Sequence, residues 1–121
     1  MKISTWAVPI RSRWYRSTEL RELRFGRGGV ILRIIEEDTE REWTVQFNNV
    51  QAFRITTEEC AIRIIEQLPQ CGGFFEVQDS PWLSELGRQE VSFLDRSKHY
   101  VVACYDEIVE VVAWDALIEP A

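Results

Sequence analysis

Few side chains in this sequence combine the type and the spacing that catalysis requires. His99 is the only histidine, and as a general base it would need a nucleophile or an orienting partner such as Cys71, Cys104 or Asp95. No sequence pattern joins these residues. His99 is therefore expected to be a structural or surface residue, and no catalytic residue is assigned. A small hydrolase or transferase that uses Cys71 or His99 stays open as an alternative function.

Motifs for metal or phosphate binding are also absent. The cysteines, Cys60, Cys71 and Cys104, are far apart and form no C-x-x-C pair of the kind that zinc sites use. We expect three reduced thiols acting as small core residues. The glycine-rich segment 26–29 departs from the phosphate-loop patterns and precedes a strand-like run, which indicates a turn. The sequence therefore predicts neither a metal site nor a cofactor.

Charge is distributed unevenly along the chain. The formal net charge is −6, yet residues 1–33 hold eight basic and two acidic residues, a balance of +6. The remaining 88 residues hold six basic and eighteen acidic residues, a balance of −12. The acidic total disfavours nucleic acid as a partner, although anion or nucleic-acid contact through the basic segment stays open as a second alternative. We favour a segment that lies across the acidic strands of its own chain or of a second copy.

Binding candidates come from two regions and one tryptophan. Aromatic and arginine side chains, which are enriched at binding hot spots, cluster in the basic segment, and Trp82 follows a Ser-Pro helix start. The acidic run 36–42 supplies charge at a predicted hairpin tip. The binding candidates are Arg11, Arg13, Trp14, Tyr15, Arg16, Trp82, Glu36, Glu37, Asp38 and Glu40. Trp43 and Trp114 are expected in the core.

Strand patterns dominate the elements that must position these residues. Runs rich in β-branched or alternating apolar residues predict strands, and Asn48 with Asn49 predicts a turn between two of them. The predicted strands are 30–35, 43–47, 51–55, 74–77, 99–105 and 108–113. The last two form a hairpin that is apolar on both faces, so we expect it at the centre of the sheet.

Two segments show helix signals. Thr56 and Glu59 have the spacing of a capping box, and an apolar stripe follows up to residue 68, although a strand remains the rival interpretation. Residues 80–87 begin with Ser80 and Pro81 and end with Gly87, which favours a short helix.

These patterns together predict one α+β domain over residues 1–121. We expect about six to eight antiparallel strands in a bent sheet or roll, with one or two short helices. The apolar run 3–10 is too short and too interrupted for a signal peptide or a membrane span. A cytoplasmic protein with no membrane contact is therefore expected.

A family resemblance rests on three motifs in the last three-quarters of the chain. The motifs are Phe47-x-x-Val50-x-x-Phe53-Arg54, Asp79-Ser80-Pro81-Trp82-Leu83, and His99-Tyr100-Val101-Val102 through Asp106 to Val109-Glu110-Val111. With them the chain resembles a diffuse set of small, acidic bacterial proteins, some of which act as immunity or antitoxin partners. The lack of a catalytic arrangement and the acidic balance predict a non-catalytic binding domain whose partner is another protein or a second copy. The resemblance implies the narrower role of an immunity- or antitoxin-type partner.

Overall fold

The computed structural model describes residues 1–87 and 92–121 as one open sheet of seven antiparallel strands with two short helices. This confirms the predicted α+β class and its mainly antiparallel character. The strand order is β1-β5-β6-β7-β4-β3-β2. The elements are β1 Lys2–Thr5, β2 Thr18–Gly26, β3 Gly29–Glu36, β4 Glu42–Thr57, α1 Ile62–Ile65, β5 Phe74–Gln78, α2 Pro81–Gly87, β6 Lys98–Ala103 and β7 Glu107–Pro120.

The predicted C-terminal hairpin lies at the centre of the sheet, as β6 and β7. Its alternate residues face two different hydrophobic clusters, so both faces are covered. Tyr100 and Val111 belong to the larger cluster, which also contains buried Trp43, while Val101 and Ile108 belong to the smaller one. The apolar character of both faces is thus explained by burial on both sides.

Strand β4 corrects the predicted turn at Asn48 and Asn49. The predicted strands 43–47 and 51–55 are one continuous strand that pairs with β7 over nearly its whole length. Asn49 does take a positive φ of 53°, but it lies beside a register shift between Val50 and Ala52. The asparagine pair therefore precedes a β-bulge at Gln51, which bends the strand without reversing it.

The predicted helix after Thr56 is much shorter than its apolar stripe suggested. Thr56 lies inside β4, and no side chain caps the helix start, so the capping-box prediction is wrong. A 3₁₀ turn over Glu58–Cys60 leads into α1, whose Ile64 and Ile65 pack on the smaller cluster. The prediction that all cysteines are core residues is also wrong, because Cys60 and Cys71 are exposed and Cys104 alone is buried.

The second predicted helix is confirmed as α2. Ser80 precedes it, and the Ser80 hydroxyl accepts a hydrogen bond from the Leu83 backbone N–H at 3.1 Å. Pro81 is the first helical residue and Gly87 the last. Trp114, expected in the core, is only half-buried, with the Arg96 guanidinium 4.2 Å from its ring centre. No helix within the described residues has the length and apolarity to cross a membrane.

Candidate functional site

A buried polar network joins α2 to the centre of the sheet. The Ser80 hydroxyl lies 2.7 Å from His99 Nδ1, and His99 Nε2 lies 2.9 Å from Glu110 Oε1. Arg54 donates from Nε and Nη2 to the two oxygens of Glu110, at 2.7 and 3.0 Å. Ser80, His99 and Glu110 are each at least 94% shielded from solvent. We call these four residues the His99 network.

Strand register places three of the four side chains together. His99 on β6 pairs with Val112, and Glu110 on β7 pairs with Arg54 on β4, so one face of three adjacent strands carries the three side chains. The cap of α2 adds the Ser80 hydroxyl from above this face. Although burial alone would raise the pKa of Glu110, hydrogen bonds from His99 and Arg54 outweigh it and hold the pKa below its ordinary value.

Trp82 covers the network from α2. Its ring meets His99 edge to face, with centroids 5.2 Å apart, and the Arg54 guanidinium lies 4.0 Å from the Trp82 ring centre. Arg54 is therefore held both by a forked carboxylate pair and by an aromatic face. The binding candidate Trp82 is half-buried, and its contacts make it part of the support of the His99 network.

Ser80, His99 and Glu110 are hydrogen-bonded in series, as in a catalytic triad, but their burial and contacts are those of a structural hydrogen-bond network. Both ring nitrogens of His99 are occupied, by Ser80 and Glu110, so the nominated partners Cys71, Cys104 and Asp95 take no part in these bonds. The Ser80 hydroxyl is itself buried and caps α2. Cys104 is equally unsuited as a nucleophile, because burial raises the pKa of its thiol to about 12.

The basic segment lies against the acidic turn of the same chain. Arg13 Nη2 pairs with Asp38 Oδ1 at 3.0 Å, and the Glu37 backbone N–H donates to the Ser17 carbonyl at 3.2 Å. Arg11 contributes through its backbone, whose N–H donates to Glu36 Oε1 at 2.8 Å. Two of the predicted groups of binding residues are therefore brought together and satisfy one another.

Glu36 is not the exposed tip residue that the sequence predicts. It is buried and accepts hydrogen bonds from the Trp43 indole at 2.9 Å, the Thr39 hydroxyl at 2.6 Å and the Arg11 backbone. Burial alone would raise its pKa, but these bonds together lower it below the ordinary value. The Glu36 carboxylate therefore organises the β3–β4 turn, and Glu40 remains exposed on that turn with a φ of 59°.

Trp14, Arg16 and Tyr105 form a cation–π stack on the surface, which we call the aromatic platform. The Arg16 guanidinium lies 4.6 Å from the Tyr105 ring centre and 6.0 Å from that of Trp14. Trp14 and Tyr105 are 46% and 48% exposed. Arg16 also approaches Glu58, with Nε 3.5 Å from Oε1, and Tyr15 packs edge to face on Trp14. The platform is thus both exposed and held in place.

An acidic cleft of about 460 Å³ adjoins the platform at Tyr105. It lies between the start of β2, the β3–β4 turn and the β6–β7 turn, and its carboxylates are Glu19, Glu37, Asp106 and Glu107. Burial together with the neighbouring charges of Asp106 and Glu19 raises the pKa of Glu107. These four residues, with Tyr105 at the edge, are what we call the acidic cleft.

The negative charge of the acidic cleft is poorly compensated. Glu19 has one basic neighbour, the exposed Arg21, whose Nε lies 3.7 Å from Glu19 Oε1. Within residues 1–87 and 92–121, no ion pair joins Glu37, Asp106 or Glu107 to a basic side chain. Of the cleft and platform residues, the sequence singled out Trp14, Arg16 and Glu37 as binding candidates. It missed Glu19, Tyr105, Asp106 and Glu107. For the last three the only signal is an aromatic residue beside an acidic pair at a hairpin turn, and Glu19 carries no such signal.

Comparison with known proteins adds no relative to this description. No protein family, curated protein or solved structure matches the chain. The resemblance to small bacterial proteins therefore stays a prediction.

Proposed function

We propose that this protein is a non-catalytic binding domain that engages a basic segment of another protein through the acidic cleft and the aromatic platform. The observation that carries the proposal is the concentration of four carboxylates in one cleft, three of them outside any ion pair of the described residues. Carboxylates that lack internal partners are available to the Lys and Arg side chains of another molecule.

The aromatic platform is evidence for a protein partner rather than a free cation. Exposed Trp14 and Tyr105 offer large, rigid apolar surfaces, and Arg16 between them already has a fixed position. Aromatic and arginine side chains carry much of the energy of protein interfaces, because they bury much area with little loss of conformational freedom. A segment with basic and apolar residues would therefore fill the cleft and cover the platform together.

The net charge of −6 adds a long-range component to this recognition. A field of one sign accelerates encounter with an oppositely charged partner and weakens as salt is added. The narrower form of the proposal is an immunity- or antitoxin-type protein, which masks a basic functional surface of its partner. That form rests on the resemblance of the sequence motifs.

The test uses a deca-lysine probe peptide and the ¹⁵N-labelled protein. We expect chemical-shift changes at Glu37, Tyr105 and Glu107 that weaken with added salt, and no such changes with deca-glutamate. The double variant Glu37→Lys/Glu107→Gln should bind deca-lysine at least about tenfold more weakly, because it removes attraction and adds a like charge.

The matched control places the same change of charge elsewhere. Glu66→Lys/Glu85→Gln alters two exposed acids outside the cleft by the same total charge. It should retain most of the affinity for deca-lysine. Equal losses in the two double variants, or shift changes spread evenly over the surface, would show that only net charge matters and would refute the proposed site.

A further inference from the structure

Strand β2 forms one edge of the sheet. It is nine residues long and pairs with β3 on one side, while no strand of the described residues pairs with its other side. The opposite edge is β1, which has only four residues. An edge strand presents free backbone N–H and C=O groups to any strand of matching shape and charge.

A β-bulge sets which side chains of β2 share a face. The register with β3 shifts between Leu20 and Glu22, so that Arg21 has no partner on β3. As a result Leu20 and Leu23, three positions apart, both pack against the larger hydrophobic cluster. In a regular strand, residues three apart would face opposite sides of the sheet.

The bulge makes the sequence 19–24, Glu-Leu-Arg-Glu-Leu-Arg, complementary to itself. When two copies are aligned antiparallel about the midpoint between Arg21 and Glu22, each leucine meets a leucine and each acid meets an arginine. The opposed pairs are Leu20 with Leu23 and Glu19 with Arg24 of the second copy. The pairing ends there, because Thr18 is buried and its carbonyl already accepts a hydrogen bond from the Tyr105 backbone N–H at 2.8 Å. Both members of each pair lie on the same face of the sheet, as cross-strand partners must.

We propose that β2 pairs antiparallel with β2 of a second copy, so that the two sheets become continuous. Such a contact covers Leu20 and Leu23, which are only half-buried at the rim of the larger cluster. Charged side chains on an edge oppose pairing when like charges meet. Here the register brings Glu19 opposite Arg24 at two symmetric positions, so the charges favour this one alignment.

A charge-swap series tests the contact. Sedimentation velocity of the wild-type chain, from micromolar to millimolar concentration, should show a monomer–dimer equilibrium. Glu19→Arg and Arg24→Glu each set like charges opposite one another twice. Each should raise the dimer dissociation constant at least about tenfold, equivalent to about 1.4 kcal/mol. The double variant Glu19→Arg/Arg24→Glu restores every opposed pair and should restore the dimer.

Glu85→Arg is the matched control, because it makes the same charge change as Glu19→Arg at an exposed position on α2. It should leave the dissociation constant unchanged. In the wild-type chain, protection of the Leu20 and Leu23 amides from hydrogen exchange should rise with protein concentration. In the two single-swap variants it should not. A chain that stays monomeric throughout, a dimer insensitive to Glu19→Arg, or a double swap that fails to recover would each overturn the proposal.

The outcome is separable from that of the proposed partner binding. Of the four cleft carboxylates only Glu19 takes part in the strand contact, while the deca-lysine experiment alters Glu37 and Glu107. A wild-type chain that binds deca-lysine but forms no dimer would refute the strand contact alone. A chain that dimerises but does not bind deca-lysine at the cleft would refute the cleft alone.

Discussion

Replacing Glu110 with glutamine should destabilise the protein, although the new side chain has nearly the same shape. The Glu110 carboxylate accepts three hydrogen bonds, one from His99 Nε2 and two from Arg54. A glutamine keeps one oxygen as an acceptor, while its NH₂ group would face a donor. The Arg54 side chain is 48% exposed and can turn towards water, whereas His99 is 3% exposed and cannot.

The expected loss is therefore one charge-assisted hydrogen bond at a buried site, or about 1.5–3 kcal/mol of the free energy of unfolding. For a chain of 121 residues, 1 kcal/mol corresponds to about 4 °C in Tm, so the variant should melt about 6–12 °C lower at neutral pH. Differential scanning calorimetry measures this directly. The exposed Glu85→Gln variant is the control and should melt within about 2 °C of wild type.

The pH dependence separates the carboxylate's charge from its shape. The folded-state pKa of Glu110 lies below its ordinary value of 4.5, so its ionised form stabilises the folded state. That stabilisation is complete above pH 4.5 and is lost as the pH falls through the lower, folded-state value. The Tm gap between wild type and Glu110→Gln should therefore be full at pH 7 and should close in acid. A Tm gap that is the same in acid as at pH 7, or no larger than that of Glu85→Gln, would refute this account of the His99 network.

Three further predictions follow from burial and capping. Ser80→Ala removes both the cap of α2 and the hydrogen bond to the His99 ring. It should lower the free energy of unfolding, measured by urea denaturation, by about 1–2 kcal/mol. The control Ser84→Ala, at an exposed position, should change that free energy little. Thiol titration of the native protein should show two reactive cysteines and of the unfolded protein three, because Cys104 is buried; three native thiols would contradict the structure. Val111→Asp should abolish soluble expression, because it places a charge in the larger cluster; a folded variant would show that the core is misplaced.

Local signals in the sequence predicted the elements that depend on a few neighbouring residues. The Gly26–Gly29 turn is predicted by its glycines, and Gly28 adopts a positive φ of 74°. The Ser80 cap and Pro81 likewise determine the start of α2, since both act within one helical turn. The apolar pattern on both faces of the last hairpin was enough to predict its central place, because only a covered strand can bury both faces.

Local signals failed where a long-range pairing offered more hydrogen bonds than the local motif. Asn48 and Asn49 have turn chemistry, and Thr56 with Glu59 has a capping pattern, yet Asn48 pairs with Asp115 and Thr56 pairs with Ile108 across β4 and β7. A continuous strand pair satisfies the backbone groups of both segments, which a turn or a cap would satisfy only in part. Asn49 keeps its positive φ inside the strand, two residues before the β-bulge at Gln51.

The sequence by itself determined the antiparallel class, the central hairpin, the cap of α2 and the uneven charge of the chain. Only the tertiary structure decided which charges compensate one another and which do not. It set Arg13 against Asp38, buried Glu36 and Glu110, and gathered the acidic cleft from the start of β2 and two separate turns. The physical reason is that side-chain electrostatics depend on distance and burial, both of which are set by strand pairings between residues far apart in sequence.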